Sequence, residues 1–279
     1  MRKSKKNISR ELGLEVGSLC GKYFLKLDHL HYGYWADGVE VDISNLHIAQ
    51  DAYAQLVISH IPEGVESILD VGCGTGQIAK MLVDKGYLVD CVSPSPYLKK
   101  CAADLLGAGS EIFECRYEDL QTSKRYDVVL FCESFQYIDM EQGLSNTSEL
   151  LNRDGYMVIC DIFRKEVEGK MVMGGGQKQT KFDELITGFP FRLIERLDIT
   201  EQTAPTIDLF NDVLEKVVGP VANAGMQFFR HRHPIAHKLV NWKYKKKIEK
   251  LRNKYLQGGR TGEEFKRYKS YQLLVYKKI

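Results

Sequence analysis

The residues best spaced for chemistry are Ile68-Leu69-Asp70-Val71-Gly72-Cys73-Gly74-Thr75-Gly76-Gln77-Ile78, an apolar run that passes through three glycines into a helical pattern. Glycine tolerates the backbone of a sharp turn and lets the main chain approach a ligand. The first turn of a following helix offers unpaired N–H groups to a polar or anionic group. A strand, a glycine turn and a helix in that order describe a binding site at the carboxyl end of the strand. Spacing narrows the ligand. A dinucleotide fingerprint needs GxGxxG, but here the third glycine comes one residue early, at Gly76, and position 77 is Gln. A phosphate-binding loop would end in Gly-Lys-Ser/Thr, which this string lacks.

The elements that must position this turn follow from hydrophobic periodicity. Ile68–Val71, Tyr87–Val92, Glu111–Cys115, Tyr126–Cys132 and Tyr156–Ile162 read as strands, several apolar on both faces. Gln77–Asp84 carries Ile78, Met81 and Leu82 at helical spacing and stops at Gly86. Strands alternating with helices imply a parallel sheet covered on both faces. Upstream, Asn45–Ile61 places Ala49, Ala52, Tyr53, Leu56 and Val57 on one helical face, with Ser44 as its cap. Downstream, Gly174–Gly176 reads as a flexible loop, Phe191–Thr200 as a sixth strand and Tyr271–Lys277 as a last one. Between the last two lies an elaboration whose best helix starts after Pro234, carries Ala236, Val240, Tyr244, Ile248, Leu251 and Tyr255 in one stripe, and stops at Gly258 and Gly259. There is no internal repeat.

Composition bounds the class. At 279 residues, 44% apolar and 27% charged, the chain is an ordinary globular protein of one or two domains, not a disordered or disulfide-scaffold one. No apolar run is long enough to span a membrane, and the basic start, Met1–Arg10, runs into Glu11 and Glu15 rather than an apolar segment, so a cytosolic protein is expected. Seven cysteines without CxxC spacing read as reduced thiols, with neither a disulfide framework nor a metal site. The net charge of +2 gives no reason to expect nucleic acid.

The string Leu69-Asp70-Val71-Gly72-Cys73-Gly74-Thr75-Gly76 resembles the first motif of class I S-adenosylmethionine-dependent methyltransferases of the small-molecule type. Tyr126–Phe131 resembles that family's fourth strand, Leu151–Tyr156 the turn before its fifth, and Asp198–Thr206 a segment that shapes the acceptor pocket. The resemblance implies an α/β fold: a Rossmann-like, mainly parallel seven-stranded sheet of order 3-2-1-4-5-7-6, its last strand antiparallel, with helices on both faces and an α-helical insertion near the C-terminus. It divides the chain into an N-terminal helical cover (1–62), a cofactor-binding core (63–200), a substrate-side insertion (201–265) and a final strand (266–279).

By the same resemblance S-adenosylmethionine is the cofactor and S-adenosylhomocysteine its product. Asp70, Gly72, Cys73, Gly74 and Gly76 form the turn that holds the aminoacyl portion. His31-Tyr32-Gly33-Tyr34-Trp35 is similar to an aromatic element that closes over the cofactor; Tyr32 or Tyr34 reaches its carboxylate, or the two pack as a plain aromatic cluster. The family's ribose-binding carboxylate falls at Ser93 here, within Val92-Ser93-Pro94-Ser95, and a hydroxyl satisfies less of a diol than a carboxylate does. The adenine loop is Cys115-Arg116-Tyr117-Glu118-Asp119, with Arg116 where the family has an acid and Glu118 or Asp119 left to meet the adenine amino group.

Methyl transfer is an in-line displacement, so alignment and water exclusion dominate and a base is needed only if the acceptor must lose a proton. The candidates are Glu133, directly after the fourth strand, then His31 and Tyr137, with Gln136 and Asp161 nearby; each has a plain structural role as its alternative. The two departures leave other ligands open. NADP would suit Ser93, Ser95, Lys99 and Lys100 but not the glycine spacing, and a carboxylated S-adenosylmethionine analogue would suit Arg116. Finally, ten basic residues face one acid, Glu249, between Arg230 and Lys254, near Phe228, Phe229, His231, His233 and Trp242. This basic helix, 234–256, reads as a solvated face, a contact for an anionic acceptor, or a weak contact with an anionic membrane surface. The acceptor expected is a small molecule that is anionic, aromatic or lipid-like. A catalytically silent homologue acting at a membrane surface is the alternative, and oligomeric state is open.

Overall fold

The computed structural model describes residues 5–169, 173–255 and 260–279. In chain order it runs α1 (Lys5–Leu25), α2 (Leu46–Ser59), β1 (Ser67–Val71), α3 (Gln77–Asp84), β2 (Leu88–Val92), α4 (Pro96–Leu106), β3 (Ile112–Phe113), β4 (Tyr126–Cys132), α5 (Met140–Leu150) and β5 (Leu151–Arg164). It continues with β6 (Gln177–Lys178), α6 (Gln179–Leu185), β7 (Phe191–Asp198), α7 (Thr200–Thr203), α8 (Pro205–Val213), α9 (Gly219–Arg232), α10 (Pro234–Tyr255), α11 (Gly262–Tyr268) and β8 (Lys269–Lys278).

The sheet order is β3-β2-β1-β4-β5-β8-β7, with the two-residue β6 beside β5. β8 is antiparallel to both of its neighbours and the remaining pairings are parallel. Apart from β6, this is the expected order. Alternation along the strands explains the two layers. Ile68, Val128, Leu130 and Val158 point to one buried face with Tyr53, Val57, Ile78 and Leu82 from α2 and α3. Leu69, Val129, Phe131, Met157 and Ile159 point to the other with Leu144 and Phe182 from α5 and α6. Successive side chains leave a strand on opposite faces, so a sheet covered twice needs strands apolar at every position.

Several expectations are corrected locally. β3 is two residues long because it sits at the sheet edge and pairs only at Cys91↔Ile112 and Val92↔Phe113. Asn45, not Ser44, precedes α2, and Ser44 belongs to a preceding 3-10 turn capped by Asp42. The cap position of α7 is Ile199, with no side-chain cap, in place of Thr200 or Thr203; the preceding Asp198 accepts from the Thr200 amide at 2.9 Å. Gly174–Gly176 is tied down rather than loose: Lys269 donates to the Gly174 and Gly175 carbonyls, and the Gly176 amide donates to Gln136 Oε1 at 3.1 Å.

α10 begins at Pro234 as expected, but the described part of its apolar stripe does not enter the core. Val240 and Tyr244 are exposed, as are Ile235, Leu239 and Trp242. The side chains of Ile248, Leu251 and Tyr255, and the expected stop at Gly258 and Gly259, lie outside the described residues. Among the described residues no helix is long and apolar enough to cross a membrane, all seven cysteines are free, and no cluster of potential metal ligands occurs.

Candidate active site

The carboxyl ends of β1, β2 and β4 open into a cavity of about 640 Å³, within the range of small-molecule sites. Its floor is the turn from β1 into α3, where Gly72, Gly74 and Gly76 all have left-handed backbones with φ of 79°, 57° and 89°. The three glycines serve different purposes. A Cβ on Gly72 would collide with Ser134, whose Oγ donates to the Val71 carbonyl at 2.5 Å. A Cβ on Gly76 would come within 3.0 Å of Ala102, so this glycine lets α4 approach the start of α3. At Gly74 the nearest atom is Leu30 Cδ1 at 3.9 Å, which leaves its backbone open to the cavity.

Asp70, at the end of β1, is buried and its Oδ2 has no partner. Burial raises its pKa from 3.8 to about 7. A buried acceptor without a donor is costly, and a ligand ammonium would satisfy it. Across the cavity, Ser93, Pro94 and Ser95 line the end of β2. The Ser95 amide donates to Ser93 Oγ at 3.4 Å, and the Leu98 amide donates to Ser95 Oγ at 3.2 Å, so Ser95 caps α4 ahead of Pro96. The Ser-Pro pair is thus a local helix-start signal, independent of hydrophobic periodicity.

The third wall comes from the loop after β3. Arg116 and Glu118 both line the cavity, and the Arg116 guanidinium donates to Glu118 Oε1 at 2.5 Å. Asp139 adds its amide to the same oxygen at 3.2 Å. Tyr117 also borders the cavity, but its phenol turns into the core, 2.8 Å from Thr147 Oγ1. Asp119 is exposed and stands outside the lining.

Glu133 follows β4 with φ at 52°, a left-handed position for a residue that has a Cβ. Its Oε1 accepts from the Tyr32 amide at 2.6 Å and from the Tyr271 hydroxyl at 2.6 Å. Burial raises its pKa from 4.5 to about 7, against the lowering effect of those two donors. His31 is buried beside it. Nδ1 stands 2.7 Å from the Tyr32 carbonyl, which can only accept, so Nδ1 carries the proton and Nε2 presents a lone pair with no partner. Burial, together with neighbouring His29, lowers the His31 pKa to about 3, so the ring is neutral. Tyr137 lines the rim and is 75% exposed.

The structure therefore gathers His31, Asp70, Gly72, Cys73, Gly74, Ser93, Pro94, Ser95, Arg116, Tyr117, Glu118, Glu133 and Tyr137 around one cavity. Tyr32, Tyr34 and Gly76 lie outside it, with Asp119. The Tyr32 ring packs about 6 Å from the rings of Phe265 and Tyr271, and Tyr34 packs on the core. Their link to the cavity runs through the Tyr32 main chain, whose amide and carbonyl hold Glu133 and His31. Leu14, His29, Leu30, Ser134 and Ile138 also line the cavity and were not anticipated. Leu14 and Leu30 come from segments distant in sequence, with no local motif that marks them.

Residues 69–159 match the family model described as a methyltransferase domain. A methyltransferase of Geobacillus sp. (strain WCH70) is 34% identical over 104 residues, covering 34% of this chain and 42% of that protein. The ubiquinone biosynthesis O-methyltransferase of Rickettsia canadensis (strain McKiel) is 25% identical over 159 residues, covering 53% and 66%. The chain thus spans less than two thirds of these relatives' lengths. The structure of geranyl diphosphate C-methyltransferase from Streptomyces coelicolor A3(2) matches at a TM-score of 0.69 with 15% identity over 100% of both chains, a likeness of fold. The doubly wound sheet with its β1 glycine turn defines a Rossmann-like α/β protein. With the match over residues 69–159, the chain carries a methyltransferase domain on the fold of the class I S-adenosylmethionine-dependent methyltransferases.

Proposed function

We propose that the protein binds S-adenosylmethionine in this cavity and transfers its methyl group to a small molecule that is anionic, aromatic or lipid-like. The observation that carries the reading is the open, left-handed Gly74 in front of the unpaired Asp70 Oδ2: backbone amides and a buried acceptor that suit an aminoacyl ligand and no pyrophosphate. When bound, the cofactor supplies a methyl group activated by its sulfonium leaving group. The chain's own contribution is alignment and shielding. Asp70 would hold the cofactor's ammonium, Glu118 and Arg116 would border its adenine, and Leu14, Leu30 and Ile138 would exclude water. Glu133 takes the proton of an acceptor hydroxyl or amine, because a carboxyl with a pKa of about 7 exchanges protons at neutral pH.

Calorimetry with S-adenosylhomocysteine should register binding by the folded protein and lose it in Gly74→Val. No heat from the wild type would overturn the reading. Formation of S-adenosylhomocysteine with a metabolite extract separates an enzyme from a binding-only homologue. The carboxylated-analogue alternative is weakened because Arg116 already donates to Glu118.

A second reading concerns the arm formed by α9 and α10. Phe228, Ile235 and Trp242 are 71%, 77% and 82% exposed among Arg230, Arg232, Lys238, Lys243, Lys245 and Lys246. Large exposed apolar side chains interleaved with cations suit the interface of an anionic bilayer, where rings enter the headgroup region and ammonium groups meet phosphates. Acceptors that reside in or near membranes would then reach the enzyme by surface diffusion.

A further inference from the structure

The end of β2 lacks a carboxylate, yet a cis-diol is best held by one, since two carboxylate oxygens can accept from both hydroxyls while a serine offers a single oxygen. In doubly wound folds an acid at this place, about twenty residues after the glycine turn, takes the ribose. Here that place is Ser93, and Ser93 and Ser95 line the cavity. A carboxylate is nevertheless present. Glu11, on α1, accepts a hydrogen bond from Ser95 Oγ at 2.6 Å across 84 residues of sequence. Leu14, one helical turn further on, lines the same cavity. Ser95 has spent its proton on Glu11, and its oxygen receives the Leu98 amide that starts α4. It therefore serves as a bracket that holds Glu11 next to the lining, which Ser95 and Leu14 enter and Glu11 itself does not. Among the described residues no ion pair of Glu11 occurs.

We propose that Glu11 supplies from α1 the ribose-binding carboxylate that β2 does not carry; this rests on the S-adenosylmethionine reading above. The arrangement has a consequence for the order of binding. A carboxylate at a strand end is always in place, whereas Glu11 arrives only while α1 is docked. Further along α1, Ser18 hydrogen-bonds Tyr97 of α4, while Leu12, Val16, Leu19, Tyr23 and Phe24 are exposed. Ribose hydroxyls and Ser95 would together hold Glu11, so the ligand itself fastens the helix over the cavity.

The test measures the affinity of full-length wild type, Glu11→Ala and Glu11→Gln for S-adenosylhomocysteine and for its 2′,3′-dideoxy analogue. A charged hydrogen-bond acceptor lost from a partly buried site weakens binding by about tenfold or more. The expected result is that loss in Glu11→Ala for S-adenosylhomocysteine, a smaller loss in Glu11→Gln, and no difference among the three proteins for the dideoxy analogue. Adding Ser93→Asp to Glu11→Ala should restore affinity by returning the acid to the strand end. Equal affinity of wild type and Glu11→Ala for S-adenosylhomocysteine would overturn the assignment while leaving the methyltransferase reading intact. An equal loss for both ligands would also overturn it, since Glu11 would then act only by docking α1. Failure of the wild type to bind either ligand would instead overturn the parent reading.

Discussion

Glu133 combines a strained backbone with a carboxyl whose proton is balanced near neutrality. A left-handed conformation costs a residue with a Cβ about 1–2 kcal/mol, and the Glu133 amide, which donates to the Cys160 carbonyl at 2.9 Å, helps hold it. Its pKa is raised from 4.5 to about 7 in the folded state. A raised carboxyl binds its proton more tightly folded than unfolded, so its contribution to stability is complete below pH 4.5 and is lost as pH rises to about 7. Glu133→Gln, which cannot ionise, should therefore gain stability over wild type at pH 8, on the order of 3 kcal/mol, and show little difference at pH 4 in urea melts. In turnover, the wild-type rate should rise through an inflection near pH 7 and Glu133→Gln should lose about 10²-fold or more in kcat, any inflection that remains belonging to Asp70, whose carboxyl burial also raises to about 7. His31, with its pKa lowered to about 3, should add no second inflection between pH 5 and 9.

At the scale of the element, the turn from β1 into α3 separates packing from binding. Gly72→Ala drives a methyl into Ser134 and should cost about 2 kcal/mol or more of stability, read from a shift in urea midpoint. Gly74→Ala meets only open space and carries the backbone penalty alone, about 1 kcal/mol, but should weaken S-adenosylhomocysteine strongly because the ligand must fill that space. If the two variants changed stability and affinity in the same proportion, Gly74 would be a packing residue and the site would lie elsewhere. α4 shows the same economy: Ser95 caps the helix and also faces the cavity, so Ser95→Ala should lower both helix stability, by about 1 kcal/mol, and ligand affinity.

At the scale of the whole molecule, α1 and the α9–α10 arm carry exposed large apolar side chains. The basic arm should be separable from the catalytic unit. Replacing Lys243, Lys245, Lys246 and Lys247 with Glu should leave melting and S-adenosylhomocysteine affinity unchanged and abolish sedimentation with phosphatidylserine vesicles at low salt. Unchanged sedimentation would reduce the arm to a solvated face. Raising the ionic strength should weaken wild-type sedimentation in the same direction, because surface attraction between ions is screened within about 10 Å at 0.1 M salt.

The central sheet and the glycine turn were legible in the sequence because both are dictated locally. Strands apolar at every position require a sheet covered on two faces, and three glycines between Val71 and Gln77 permit the left-handed turn that the structure contains. Short, polar or long-range features were not legible. β3 is shortened by its edge position, Ile199 rather than Thr200 or Thr203 takes the cap position of α7, and the exposed Val240 and Tyr244 of α10 have the same spacing as a buried stripe. The site divides in the same way. The chain alone fixed the turn, Ser93 and Glu133, since each is defined by its distance from a strand end. Only the tertiary structure decided that Tyr32 serves through its main chain, that Tyr117 turns into the core, and that Glu11 and Leu14 cross to β2, because contacts between distant segments depend on how helices pack and leave no period in the sequence.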